Sequence, residues 1–249
     1  MKMKTVFLSM AVAAALLTTS ARAASVGTCT AITPSPPPIT IATQGVYCLQ
    51  GDIATSIDTG NLIEITTDNV TIDLNGFKLG GLAAGTATTA TGIFALDRIN
   101  ITIRNGTIRG FQRGIALTQG GSTSSGHLVE HLLLEQNRFT GVFVQGTGNV
   151  IRNNNVVKTG LGGSLIEANG ILVTDSNNTV IADNVVSGTS ETNTARGIYV
   201  SNSALIEVRD NSILDTGDAT TKFGIEINNS TDVTVIDNRI INAAGAGSI

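Results

Sequence analysis

The segment GIYVSNSALIEVRDNSILDTGDATTKFGIEINNSTDVTVIDNRII, residues 197–241, contains one repeating unit almost twice and decides the fold. Gly197 and Gly224 each begin the motif glycine, apolar, any residue, apolar. Asn211 and Asn238 each precede a short β-branched run. Each asparagine lies 14 residues after its glycine, and the two copies are 27 residues apart. Two motifs with a fixed spacing indicate one structural unit that repeats along the chain.

The same unit recurs towards the N-terminus. Further glycine motifs begin at Gly92, Gly114, Gly141 and Gly170, and further asparagine motifs at Asn75, Asn105, Asn137, Asn155 and Asn184. A third apolar run lies just before each asparagine, as in residues 233–236. Three short runs bounded by Gly, Asn, Asp or Ser predict three strands and three turns per unit. Because one unit cannot bury its own apolar face, the sequence predicts an all-β solenoid of about seven stacked coils with parallel strand pairing.

These motifs resemble the right-handed parallel β-helix of the pectate-lyase-like superfamily over roughly residues 59–249. The stretch NVTIDLNG at residues 69–76 resembles the first coil of many secreted bacterial members without an assigned activity. A leucine-rich repeat is the alternative architecture, because the runs that begin at Ile206 and Val233 satisfy its strand pattern. The Gly-Ile-x-Val half of each unit disfavours it, since a leucine-rich repeat places a helix or irregular segment there.

The composition is that of a globular chain. Its 249 residues are 41% hydrophobic and only 14% charged, which argues against a disordered, collagen-like or coiled-coil protein. Basic residues number 15 and acidic residues 19, so a dominant surface for nucleic acid or anionic membrane is disfavoured.

The N-terminus is predicted to be a signal peptide at residues 1–23. Lys2 and Lys4 precede an apolar run at residues 6–17, and residues 21–23 (Ala-Arg-Ala) present small residues at a cleavage site. No other stretch approaches the ~18 apolar residues of a membrane helix. We therefore expect a secreted protein, periplasmic or extracellular, without a transmembrane segment in the mature chain. Without Lys2, Lys4 and Arg22 its net charge becomes about −7.

Residues 24–58 are predicted to form an N-terminal cap with a Pro-rich segment, followed by the β-helix at residues 59–249. Cys29 and Cys48 are the only cysteines and are expected to pair as a disulfide in an oxidising compartment. All four prolines lie at residues 34–38, which makes this segment an extended cover and not a central strand.

The asparagine column is interpreted as scaffold, because stacked Asn side chains satisfy backbone groups in turns and tolerate the left-handed conformation. Phe139, two residues after Asn137, is predicted to lie in the core. The match of residues 127–131 to the H-x-x-E-H zinc motif is declined, since residues four apart in a strand are ~13 Å apart.

The residue between the two inward positions of Gly-Ile-x-Val points outward by strand alternation. That position is occupied by Phe94, Ala116, Phe143, Leu172, Tyr199 and Glu226. Apolar side chains exposed in a column could stack on the successive sugars of a polysaccharide or cell-surface glycan, so Phe94, Phe143, Leu172 and Tyr199 are candidate substrate-binding residues. The resemblance implies the same, because this sheet forms the substrate cleft in polysaccharide-active members. The alternative is that the loops before each glycine cover these side chains.

The loops carry the candidates for chemistry. A uronate lyase needs a cation to take a proton and another to neutralise the sugar carboxylate, and Arg113, Lys158, Arg196 and Lys222 could serve. Asp183, Asp210 and Asp237 recur every 27 residues and are candidate Ca²⁺ ligands, although solvated carboxylates are the simpler interpretation. The acidic and basic motifs of polygalacturonases and mannuronan epimerases are missing from the sequence, so no reaction is carried over.

Two classes of function stay open: a polysaccharide-binding or polysaccharide-processing protein, and a non-catalytic structural or surface-adhesive solenoid. Only residues 242–249 follow the last predicted coil. An uncovered parallel edge favours end-to-end self-association through the C-terminal coil.

Overall fold

A computed structural model describes residues 29–160, 167–217 and 220–243 of the chain. The predicted signal peptide, residues 1–23, lies outside the described residues. No helix in the described ranges is long and apolar enough to cross a membrane.

Short strands stack in three parallel sheets. The glycine sheet contains β2 Ile39–Ile41, β5 Asn61–Ile65, β8 Thr91–Leu96, β10 Arg113–Thr118, β12 Thr140–Thr147, the first part of β15 Glu167–Ala182, β17 Thr194–Ser201 and β20 Thr221–Asn228. The middle sheet contains β1 Thr30–Ile32, β3 Gly45–Leu49, β6 Val70–Asp73, the first parts of β9 Ile101–Arg109 and β11 Leu128–Glu135, β13 Val150–Arg152, the last part of β15, β18 Ala204–Arg209 and β21 Thr231–Ile236. The asparagine sheet contains β4 Ile53–Ala54, β7 Lys78–Gly80, the last parts of β9 and β11, β14 Asn155–Val157, β16 Val185–Ser187, β19 Ser212–Leu214 and β22 Arg239–Ile241. A short 3-10 helix spans Leu82–Ala84.

Equivalent residues of successive coils lie directly above one another. In the glycine sheet, the stacked positions after each glycine are Ile93, Ile115, Val142, Ile171, Ile198 and Ile225. These side chains are buried and belong to one continuous apolar core along the solenoid. From β2 to β20 the chain makes about seven turns, which confirms the predicted parallel β-solenoid.

The repeated glycine is explained by close approach between coils. A Cβ built on Gly141, Gly170 or Gly197 would lie 2.6–2.7 Å from the carbonyl oxygen of the next glycine in the column. The same Cβ would lie 2.3–2.6 Å from the Val156, Val186 or Ile213 side chain of the asparagine sheet. Real Cβ atoms do not approach other atoms so closely, so only glycine fits this corner of the coil.

The asparagine ladder of the structure consists of Asn154, Asn184, Asn211 and Asn238. The Asn184 amide nitrogen donates to Asn211 Oδ1 (3.0 Å) and to the Ile151 carbonyl oxygen (2.9 Å), and Asn211 repeats the pattern one coil further on. The sequence predicts Asn155 in this column, which is wrong by one residue. Three further predicted members also lie outside the ladder: Asn75 and Asn105 have left-handed backbone, and Asn137 bonds the Phe111 N–H and the Ile108 carbonyl oxygen. The segment of β12 between Val144 and Gly146 is one residue shorter than its equivalent between Val173 and Ser176 in β15, so the register shifts there.

Left-handed backbone explains the polar residues at the corners. Between the middle and asparagine sheets, one residue per coil has φ between 53° and 59°; this column contains Asn105, His131, Asn153, Asp183, Asp210 and Asp237. Asn and Asp enter this region at a lower cost than other side chains because they hydrogen-bond their own backbone. The recurrence of the three aspartates therefore has a backbone cause.

The N-terminal segment is part of the stack. Strands β2, β3 and β4 pair in register with β5, β6 and β7, so parallel pairing begins before residue 59. Cys29 and Cys48 form the expected disulfide, with their Cα atoms 5.8 Å apart. This bridge fixes the chain before β1 to the first coil.

Candidate functional site

The outward column of the glycine sheet is the candidate site. Phe94, Ala116, Phe143, Leu172, Tyr199 and Glu226 are in register on six successive coils. The Phe94, Phe143 and Tyr199 side chains are partly exposed, whereas Ala116 is 2% and Leu172 7% exposed. Aromatic rings thus occur on every second coil, about 9.6 Å apart at ~4.8 Å per coil. Ala116 and Leu172 therefore contribute little accessible surface to this column.

Arg113 and Arg196 lie in one column beside these side chains. Each immediately precedes a glycine, and the register runs from Arg113 through Thr140 and Asn169 to Arg196. The Arg113 and Arg196 positions are therefore three coils, about 14 Å, apart along the axis. One sugar cannot bridge both residues.

Arg196 is held by two carboxylates and a ring. Its Nη1 lies 2.6 Å from Glu167 Oε2, its Nε bonds Glu226, and its guanidinium lies 4.1 Å from the Tyr199 ring centroid. Burial alone would lower the pKa of Arg196, but the hydrogen bonds to both carboxylates outweigh burial, so that pKa lies above its usual value. The Arg196 guanidinium therefore stays protonated, and it lies against the Tyr199 ring.

Arg113 has a different environment. Its guanidinium carbon lies 5.1 Å from the Phe139 ring centroid and 5.9 Å from that of Phe143. Its Nη1 donates to Gln112 Oε1 at 3.3 Å, and its buried Nε has no hydrogen-bond partner among the described residues. Burial lowers the pKa of this guanidinium. The sequence predicted Phe139 in the core, which is wrong, because its ring lies beside Arg113 at this site. The error came from counting the repeat position of Phe139 from Asn137; counted from Gly141, Phe139 falls at the start of the glycine motif.

The remaining predicted cations and the aspartates lie elsewhere. Lys222 pairs in register with Ala195 on the glycine sheet, whereas Lys158 is exposed at the left-handed corner after β14. Arg209 lies 3.8 Å from Asp183 and 3.0 Å from Asp210. In the described part of the chain, no group of three or more His, Cys, Asp or Glu side chains is arranged to hold a metal ion. A Ca²⁺ site at Asp183, Asp210 and Asp237 stays a prediction from the sequence.

His127 is a buried structural residue. Ile101 N–H donates to its Nδ1 (3.3 Å), so its Nε2 carries the proton that faces Ser124 Oγ at 2.9 Å. Burial lowers the pKa of His127 to about 4. A neutral imidazole in this position completes a hydrogen-bond network between the glycine and middle sheets.

Residues 88–249 match the family model described as the right handed beta helix region. The chain belongs to the right-handed β-helix family. This match covers the coils from β8 onward and gives the handedness of the solenoid. No curated protein matches this β-helix significantly.

Solved structures share the β-helix at low identity. The Dettilon tailspike protein is 17% identical, with a TM-score of 0.59, over 80% of this chain and 38% of that chain. The enzymatically active domain of bacteriophage CBA120 tailspike protein 2 is 16% identical, with a TM-score of 0.53, over 80% and 38% of the two chains. A double mutant of the periplasmic alginate epimerase AlgG is 14% identical, with a TM-score of 0.51, over 80% and 49%. These likenesses concern the fold alone, and this β-helix spans less than half of each of the three structures.

Proposed function

We propose that this β-helix is an exported protein that binds a polysaccharide along the outward column of the glycine sheet. The observation that carries the proposal is the regular spacing of Phe94, Phe143 and Tyr199 on one straight column. A linear glycan advances ~5 Å per sugar, close to the ~4.8 Å between coils. Aromatic rings on every second coil would then stack on every second sugar of a glycan that runs along the axis.

Two further observations support the proposal. One similar structure is a periplasmic alginate epimerase, and alginate is a polysaccharide. The disulfide between Cys29 and Cys48 is typical of an oxidising compartment, which supports export.

The geometry supports binding better than a lyase reaction. Arg196 is fully engaged by Glu167 and Glu226, and its raised pKa opposes the loss of a proton that a general base requires. Arg113 lies in β10 of the glycine sheet, whereas Lys158 lies at the corner after β14 of the asparagine sheet. Binding requires only the exposed rings and their polar neighbours.

The proposal is tested with the mature protein and a panel of uronate and neutral polysaccharides, with and without Ca²⁺. Affinity electrophoresis follows binding, and the absorbance of unsaturated sugars follows any lyase reaction. We expect Phe143→Ala and Tyr199→Ala each to weaken binding about 2- to 10-fold, the value of one aromatic contact. Leu205→Ala removes a side chain that is 55% exposed near the start of β18 in the middle sheet, and is the control. Unchanged affinity in both aromatic variants would refute the proposed face.

One observation favours the second class, a structural or surface-adhesive solenoid. Ile227 and Val235 in the last coil are 36% and 38% exposed, although their equivalents Val200 and Val208 are fully buried. Residues 244–249, which the sequence analysis assigned to the open end, lie outside the described residues. We propose that the last coil joins a second copy end to end. Analytical ultracentrifugation should then show concentration-dependent association that Val235→Glu abolishes; a monomer at every concentration would contradict it.

A further inference from the structure

A small cavity lies at the corner where the chain passes from the asparagine sheet to the glycine sheet. Its volume is about 120 Å³, and its lining comes from successive coils: Leu82, Gly85, Thr86, Gly110, Gln136 and Arg138. An engineered cavity of about 150 Å³ holds benzene, which has six non-hydrogen atoms. The corner cavity therefore has room for a ligand of about five non-hydrogen atoms.

Arg138 gives this cavity a buried positive charge. The residue is only 5% exposed, and its Nη1 donates to the carbonyl oxygen of Thr88, two residues after Thr86. This bond holds the guanidinium against the loop that forms one wall of the cavity. A guanidinium presents several N–H donors in one plane, and it attracts an anion more strongly where water is excluded. The buried charge therefore favours an anionic ligand.

A second cation lies one coil further along the same corner. The pairing of β11 with β14 places Lys158, which follows Val157, beside Gln136, which follows Glu135. The two backbones are therefore about 4.8 Å apart. Lys158 is exposed and takes part in none of the ion pairs among the described residues, whereas Glu135 is neutralised by Arg109 at 3.0 Å. Because a lysine side chain is long and flexible, its ammonium group can reach a ligand at Gln136.

The backbone at this corner is unfavourable for Gln136 and Lys158. Their φ values are 55° and 54°, in the left-handed region. Other coils place Gly110, Gly188 and Asp215 at the same corner, and these residue types enter that region at a lower cost. Residues held in a sparsely populated conformation cluster at functional sites. A ligand that uses the Gln136 amide and the Lys158 charge accounts for both exceptions.

We propose that the corner cavity binds a free tetrahedral oxyanion, inorganic phosphate or sulfate. Arg138 and Gln136 donate to it from the cavity wall, Thr86 supplies a hydroxyl, and Lys158 adds charge at the rim. Phosphate and sulfate have five non-hydrogen atoms and up to two negative charges, which match the volume and the two cations. The site lies outside the outward column of the glycine sheet, so it does not depend on the proposed polysaccharide face.

Binding is measured by isothermal titration calorimetry of the mature protein with phosphate, sulfate and acetate, in a chloride buffer of constant ionic strength. Phosphate or sulfate should bind at a single site, about 10-fold or more tightly than acetate, whose planar group carries one charge. Arg138→Gln should weaken that binding about 10- to 100-fold, the value of charge-assisted hydrogen bonds. Lys158→Gln changes only an exposed side chain and should weaken it about 2- to 5-fold.

Gln136→Gly separates binding from folding. Because glycine relieves the left-handed backbone, this variant should melt at the wild-type temperature or above it in buffer free of both anions. It should nevertheless bind phosphate about 3-fold or more weakly, since the amide donor is lost. Arg104→Gln is the matched control for charge, because it removes an arginine of the middle sheet and should leave the affinity unchanged.

Three results would overturn the inference. The first is no binding of phosphate or sulfate to the wild-type protein at millimolar concentrations, and the second is equally tight binding of acetate. The third is unchanged affinity in both Lys158→Gln and Gln136→Gly, a result that does not depend on whether Arg138→Gln folds. None of them bears on the polysaccharide face, and Phe143→Ala, which tests that face, should bind phosphate as the wild type does.

Discussion

Gly197→Ala introduces one methyl group at a close contact between coils. Its Cβ would lie 2.4 Å from Ile213 Cγ2 and 2.6 Å from the Gly224 carbonyl oxygen. The oxygen belongs to the backbone of the next coil, so relief requires that two paired strands separate by several tenths of an ångström. Overpacking of a core typically costs about 1–3 kcal/mol. The unfolded chain has less conformational freedom with alanine than with glycine at this position, which offsets only about 0.4–1 kcal/mol of that cost. We expect a net loss of stability of about 2 kcal/mol. This value lies near the upper end of the difference between the two ranges, because a backbone carbonyl cannot rotate away from the added methyl group as a side chain can.

Thermal unfolding followed by circular dichroism measures this loss. For a chain of this size, about 2 kcal/mol corresponds to a melting temperature lower by about 4–8 °C. Gly121→Ala is the control, since a Cβ there meets no atom within 4 Å and the backbone φ is not left-handed. The control should melt at the wild-type temperature or slightly above it. A Gly197→Ala variant as stable as the control would refute the close-approach explanation of the glycine column.

Two further predictions concern buried polar groups. Asn211→Ala removes four hydrogen bonds of the ladder and should cost about 3 kcal/mol or more in urea unfolding, whereas Asn155→Ala, at an exposed position, should cost less than about 0.5 kcal/mol. His127 has a pKa of about 4 when folded and an ordinary value of 6.5, so the unfolded chain binds a proton first as the pH falls. Its contribution to stability is complete above pH 6.5 and is lost towards pH 4, by about 3 kcal/mol; His127→Gln should flatten that part of the pH profile of unfolding.

Features that repeat along the chain could be predicted from the sequence. The glycine column and the outward alternation of Phe94, Phe143 and Tyr199 depend on strand geometry within one coil, which is the same in every copy. Stacking of identical coils then fixes the register between copies. The parallel solenoid and its outward column therefore follow from local pattern alone.

Features that depend on a single turn could not be predicted. The chain is one residue shorter between Val144 and Gly146 than in the next coil, so Asn154 and not Asn155 joins the ladder. The sequence did not reveal this, because Asn155 lies 14 residues after its glycine, as the asparagines of the later coils do. The ion pairs of Arg196 were missed for another reason. They join it to Glu167 and Glu226, each 29 or 30 residues away, and depend on side-chain conformations that sequence periodicity does not determine.

Equivalent residues of successive coils lie one coil spacing apart along a common axis. Thr71, Val180 and Thr234 occupy one outward column of the middle sheet, with Val180 four coils and Thr234 six coils from Thr71. Spin labels on introduced cysteines at these positions, with the native disulfide intact, report the separations by double electron–electron resonance. At ~4.8 Å per coil, the stacked coils should place residues 71 and 180 about 19 Å apart and residues 71 and 234 about 29 Å apart. Two distances that do not increase in this proportion would contradict it.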